Sequence, residues 1–131
     1  MNKNISKGRM SMIIYENTIK SKGSLVGEFG DGMFILFGDN APDMLKDYCY
    51  GIDVVPTNAT IEVGQTLKVD GEEFEILGVG DVAEKNLVDL GHLTVHFSGD
   101  LDSLLPGAIV VENKSCPKID INTKITIEKL N

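Results

Sequence analysis

Along most of this chain apolar residues alternate with polar ones in short runs cut by Gly, Pro, Asn and Asp, a spacing that predicts strands more often than helices. Met12 to Ile19 reads as a first strand. Ser21-Lys22-Gly23 reads as a turn, and Ser24 to Phe29 as a second strand closed by Gly30-Asp31-Gly32. Met33 to Phe37 is a continuous apolar run between turn residues, the mark of a strand buried on both faces. Gly38 to Pro42 breaks it, and a proline near the first turn suits a short helix over about 42–49. Asp70-Gly71 is a favoured two-residue type I′ loop, so residues 61–76 should form a hairpin. In that register Leu67 faces Phe74 inside and Lys68 faces Glu73 outside.

From Gly78 to His92 the period changes. Ala83, Leu87 and Leu90 fall at i, i+4 and i+7, which predicts a helix over about 81–90 with one apolar stripe. Asp81 stands at the N-cap position with Glu84 three residues on, the pattern of a capping box. Gly91 supplies the left-handed residue that ends the helix, and His92 leads into the alternating strand Leu93 to Phe97. Asp100 to Leu105 is expected as a loop or one helical turn, Pro106-Gly107 as a turn, and Ala108 to Glu112 as a strand. Ile61 to Val69 and Ile119 to Ile127 share one pattern: apolar, acidic, apolar, Gly or Asn, two polar, then a strand. The fold class that follows is mainly all-β, a small antiparallel barrel or sandwich with one central short helix at about 81–90 and a second at about 42–49. Residues 1–11 are polar and aperiodic and read as a disordered extension, leaving 12–131 as a single domain.

Composition narrows the partners. The formal net charge of -8 opposes binding to nucleic acid, because a chain without a basic field releases few counterions from phosphates. No apolar run reaches the roughly 20 residues that span a bilayer, and the start lacks the apolar core of a secretory signal, so a cytoplasmic protein not embedded in membrane is expected. Association with a second copy is left open.

Chemistry is sparse. Cys49 and Cys116 lie far apart, which argues against a paired metal or redox motif. His92 and His96 on one strand would stand about 13 Å apart, too far to share a metal, so no metal or cofactor is expected. His92 sits at a helix C-terminus, where the dipole favours its charged form and a helix carbonyl is within reach. His96 is expected to face solvent from its strand. Glu72, Glu73 and Glu75 belong to a solvated hairpin face. Gly78-Val79-Gly80 before a helix lacks the third glycine of a phosphate-binding turn and is discounted.

Gly78-Val79-Gly80 followed by Ala83, Asn86-Leu87 and Leu90-Gly91-His92 resembles the signature of the glucitol/sorbitol-specific IIA component of the bacterial phosphotransferase system (PTS). Phe37 through Ala41-Pro42 to Tyr48-Cys49, Val63-Gly64 through Val79, and Pro106-Gly107 are similar to further segments of that family, in the same order. The resemblance implies a cytoplasmic β-barrel-like domain that takes a phosphoryl group on histidine from phospho-HPr and passes it to the IIB component of a sorbitol permease, beside IIC. It also implies that the phosphorylated histidine follows the Tyr-Cys pair by a few residues, in a longer loop. This chain reads Tyr48-Cys49-Tyr50-Gly51-Ile52-Asp53-Val54-Val55-Pro56 there, with no histidine. The residues left as candidates are His92 as phosphoacceptor, with His96 behind it, and Tyr48, Cys49 and Asp53 as a remodelled binding loop. The alternatives are a IIA paralogue without phosphotransfer, acting as a regulatory or ligand-binding module, and a purely structural subunit.

Overall fold

A computed structural model describes residues 11–130, with Ser103 described by its backbone alone. The expected extension over 1–11 lies outside the described residues except for Ser11, which opens the first strand. The strands are β1 (Ser11–Thr18), β2 (Ser21–Lys22), β3 (Met33–Phe37), β4 (Tyr50–Gly51), β5 (Thr66–Val69), β6 (Glu72–Val79), β7 (Leu93–His96), β8 (Ala108–Val111) and β9 (Lys124–Leu130). Two helices, α1 (Asp43–Lys46) and α2 (Ala83–Leu90), interrupt them. The fold is thus mainly β with a central short helix and a shorter second one, as the sequence predicts. All the strands join one sheet in the order β1-β9-β5-β6-β8-β7-β3-β4-β2. Most pairings are antiparallel, but β3 runs parallel to β4 and β7 parallel to β8.

The sheet curls over its core without closing strand to strand. Segment 52–58 bridges its two ends instead: Ile52 N–H donates to Phe37 O at 3.0 Å and Asn58 N–H to Ile14 O at 2.7 Å, so the free edge of β1 is partly covered. Inside lie Phe34, Leu36, Leu67, Phe74, Ile76, Leu93, Val95, Ile109 and Ile127, each at most 1% exposed. Phe97 edges onto Phe74 with ring centroids 5.0 Å apart, a favoured aromatic geometry.

Local sequence fixes several of these features. Asp70 and Gly71 have φ of 49° and 85°, both positive as a type I′ turn requires, and β5 pairs with β6 in the expected register, Leu67 with Phe74 and Lys68 with Glu73. The repeated pattern is also structural. Gly64 and Asn122 both take positive φ, 95° and 79°, and each precedes a strand. Gln65 Oε1 accepts from Glu62 N–H, and Thr123 Oγ1 accepts from Asp120 N–H, both at 2.9 Å. The two strands so launched, β5 and β9, pair antiparallel with each other.

Other expectations need correction. Residues 24–29 do not form a strand; Val26–Phe29 is a 3-10 turn that buries Val26 and leaves Leu25, Gly27 and Glu28 outside, its backbone bonds staying local, Glu28 N–H to Leu25 O and Gly30 N–H to Gly27 O. Ser21–Lys22, read as a turn, is β2, held by antiparallel pairing to β4. The capping box at α2 is absent: the N-cap residue is Val82, without a side-chain cap, and Glu84 Oε1 accepts from Ile61 N–H at 2.7 Å instead. A long-range backbone donor has outcompeted the local one. Ala83 and Leu87 are buried as expected, but Leu90 is 43% exposed. Gly91 does end the helix in the left-handed region, φ 70°.

Candidate functional site

Four residues stand side by side across one end of the sheet. Leu36 pairs with Leu93, so Phe37 is flanked by His92 on one side; on the other it pairs with Gly51, which pairs with Ser21. Leu36 and Leu93 point into the core, so their neighbours Phe37 and His92 project from the opposite face. The Phe37 ring stacks on the imidazole of His92, centroids 4.3 Å apart and planes 28° from parallel. His92 Nδ1 lies 3.2 Å from Leu36 O. A carbonyl only accepts, so Nδ1 carries the proton of the neutral ring and Nε2 holds the lone pair. The partner is a strand carbonyl rather than the helix carbonyl expected. Gly91 makes this placement possible, since a Cβ there would meet Gly38 N at 2.9 Å. The end of β3 is bound to the end of α2 by Gly38 N–H donating to Leu90 O at 3.0 Å.

Beside this row a cleft of about 470 Å³ opens between β2, the β3–α1 turn and β4. Phe37, Cys49 and Ile52 floor it, 6%, 4% and 1% exposed respectively. Ser21, Ser24, Asp39 and Asp47 contribute polar groups to its walls, and Lys20, Lys22 and Lys46 bring three ammonium groups. Lys20 pairs with Asp53 at 2.6 Å and is also close enough to Asp39 for that carboxylate to raise its pKa further. Lys22 pairs loosely with Asp120 at 3.6 Å. Lys46 has no ion pair among the described residues. Two glycines let the walls approach: a Cβ on Gly51 would fall 2.0 Å from Ser21 Oγ, and one on Gly23 would fall 2.2 Å from Asp47 O.

The sequence-nominated residues are only partly brought together. Cys49 lines the cleft, with its Sγ 3.1 Å from Leu45 O and burial pushing the thiol pKa up. His92 adjoins the cleft across the Phe37 ring. Asp53 lies outside the lining and ties down Lys20. Tyr48 turns away toward Phe29, ring centroids 5.7 Å apart. His96 is half-buried rather than solvent-facing as expected: its Nε2 is buried and meets no hydrogen-bond partner among the described residues. Leu101 and Leu104 of the following segment crowd Gly78 on the β6 strand beyond β8, which pairs Val110 with both Gly78 and His96, so the sheet's outer face is covered there.

Sequence reasoning passed over Lys20, Lys22, Phe37 and Asn17. Two lysines flanking Ser21 in a strongly acidic chain were an available signal. Asn17 gave none. Its buried side chain donates to Asp53 O at 2.8 Å and Tyr15 Oη at 2.9 Å, and accepts from Asp53 N–H at 3.3 Å and Thr18 N–H at 2.9 Å. It therefore clamps the segment after β4 to β1.

Residues 14–126 match the family described as the PTS system glucitol/sorbitol-specific IIA component. The chain belongs to that family. The glucitol/sorbitol-specific EIIA components of Escherichia coli (strain K12) and Shigella flexneri are each 32% identical to it over 100 residues, which is 76% of this chain and 81% of theirs. The crystal structure of a PTS system IIA component from Enterococcus faecalis V583 superposes with a TM-score of 0.73 at 27% identity, covering 85% of this chain and 97% of that one. A role in PTS phosphotransfer and sugar transport accompanies the family, and the mainly-β fold agrees with it. No helix among the described residues is long and apolar enough to cross a membrane. Within this IIA fold the segment after Cys49 carries Ile52 into the core, and the cleft beside it holds no histidine among its lining residues.

Proposed function

We propose that this IIA-family member accepts a phosphoryl group from phospho-HPr on His92 Nε2 and passes it to a IIB component of a sorbitol permease, in the cytoplasm. The observation that carries the reading is the fixed imidazole: Nδ1 bound to Leu36 O, ring stacked on Phe37, and a lone pair left on Nε2. In the transfer, Nε2 attacks phosphorus in line, the new N–P bond forms as the donor's N–P bond breaks, and the donor keeps that bonding pair. The ring then bears positive charge, which the bond from Nδ1–H to Leu36 O stabilises. Onward transfer to IIB reverses these roles.

A second reading has its own support. The segment after Cys49 is held shut by Asn17 and by the Lys20–Asp53 pair, so a ligand-binding module without phosphotransfer also fits the geometry. Phosphoenolpyruvate, Enzyme I and HPr, followed by intact mass spectrometry, separate the two. One acid-labile phosphoryl adduct that disappears in His92→Ala and persists in His96→Ala supports the acceptor. Absence of any adduct, or one that survives His92→Ala, refutes it.

A further inference from the structure

The cleft carries more than the phosphoacceptor reading uses. Its floor is formed by apolar residues that are themselves almost wholly buried, Phe37, Cys49 and Ile52. Its walls carry acceptors and donors together, the carboxylate of Asp39 and the hydroxyls of Ser21 and Ser24. Such a mixture matches a ligand whose hydroxyls both donate and accept while its carbon skeleton rests on an aromatic face. The volume, about 470 Å³, lies within the range of small-molecule sites.

Charge identifies the other half of the ligand. The chain has a formal net charge of -8, yet three lysines line this cleft, Lys20 just before β2, Lys22 in β2 and Lys46 in α1. Lys46 has no ion pair among the described residues, and the Lys22–Asp120 pair is long at 3.6 Å, with both side chains over a third exposed. An exposed pair of that kind is worth little, so an incoming dianion exchanges readily for Asp120. Lys20, by contrast, is occupied by Asp53 and shaped by Asp39, and serves as wall rather than hook.

We propose that this cleft binds a small polyhydroxylated phosphate monoester, its phosphate on Lys46 and Lys22, its hydroxyls on Ser21 and Asp39, and its carbon chain over Phe37. The proposal goes beyond the phosphoacceptor reading and does not depend on it.

The test is titration of the full chain, without Enzyme I or HPr, by amide chemical-shift mapping and calorimetry with three probes: a hexitol 6-phosphate, the free hexitol and inorganic phosphate. The expected result is saturable binding of the hexitol phosphate with shifts confined to residues 20–24, 37–41 and 46–52. Each half alone should bind at least about ten-fold more weakly, since each forfeits one set of directed bonds. Lys46→Ala should weaken the hexitol phosphate about ten-fold or more, while Lys114→Ala, outside the cleft, should leave it unchanged. No phosphoryl donor is present in this titration, so its outcome is read independently of the phosphoacceptor test. The proposal is overturned if no probe binds in the cleft, if the free hexitol or phosphate alone binds as tightly as the ester, or if Lys46→Ala binds like the parent.

Discussion

Replacing Asn17 by alanine should cost far more than its position near one edge of the sheet suggests. The side chain is 6% exposed and makes four hydrogen bonds. One of them ends on a group with poor access to water, the hydroxyl of Tyr15, a residue 2% exposed. At roughly 1–3 kcal/mol for a buried polar group left unmatched, and less for bonds that water replaces, the loss is about 3 kcal/mol. With a urea slope of about 1.5 kcal/mol per molar, the unfolding midpoint should drop by about 2 M. Tyr15→Phe removes one end of the clamp and should cost about 1 kcal/mol. The double mutant should show coupling of about 1 kcal/mol, since both changes break the same bond. Amide exchange adds a local readout, because the Asp53 N–H should lose protection in Asn17→Ala while the β5–β6 hairpin keeps it until global unfolding. A midpoint shift below about 0.3 M, or additive single mutants, would refute the clamp.

Other measurements probe different parts of the molecule. In Gly80→Ala the new Cβ would lie 2.3 Å from the carbonyl oxygens of Leu105 and Pro106, both backbone, so the loss should be about 3 kcal/mol or more and visible in the same urea titration. Nitrogen-15 shifts of the neutral His92 ring should report the Nδ1–H tautomer, and a dominant Nε2–H form would contradict the Leu36 O bond. Burial lifts Tyr15 from 10.0 to about 12, and burial with nearby Asp31 and Glu72 lifts Cys116 from 9.0 to about 12. For both, the unfolded chain loses its proton first, so stability is full below the unfolded values and falls as pH rises from 9 toward 12. Urea midpoints across that window should decline, and Cys116→Ala should flatten the lower part of the decline. Cys49 and Cys116, both raised, should alkylate slowly at neutral pH compared with the unfolded chain, as read by mass spectrometry.

Much of the scaffold could be read residue by residue because its causes are local. A two-residue turn needs positive φ at both positions, and Asp70-Gly71 supplies it whatever surrounds the hairpin. Gly91 ends α2 for the same kind of reason, and the alternation through Leu93 to Phe97 already says which side chains enter the core. The matching units at Ile61 and Ile119 each carry their own turn and cap. Family membership was legible too, because its signature is spread over these same turns.

What the sequence could not decide lies where distant segments compete for one another. Glu84 has a local partner available as a capping residue and takes the N–H of Ile61 instead, 23 positions away in sequence. His96 alternates like a surface residue, yet the chain beyond it returns over that face and buries its Nε2. The two-residue strands β2 and β4 are too short to show a period, and only their pairing defines them. From that pairing come the row from His92 to Ser21 and the cleft where Lys20, Lys22 and Lys46 converge. Turn geometry and alternation are paid for by neighbours along the chain, so a linear reading captures them; convergence of charges and rings depends on which strands lie side by side, and only the packed sheet sets that.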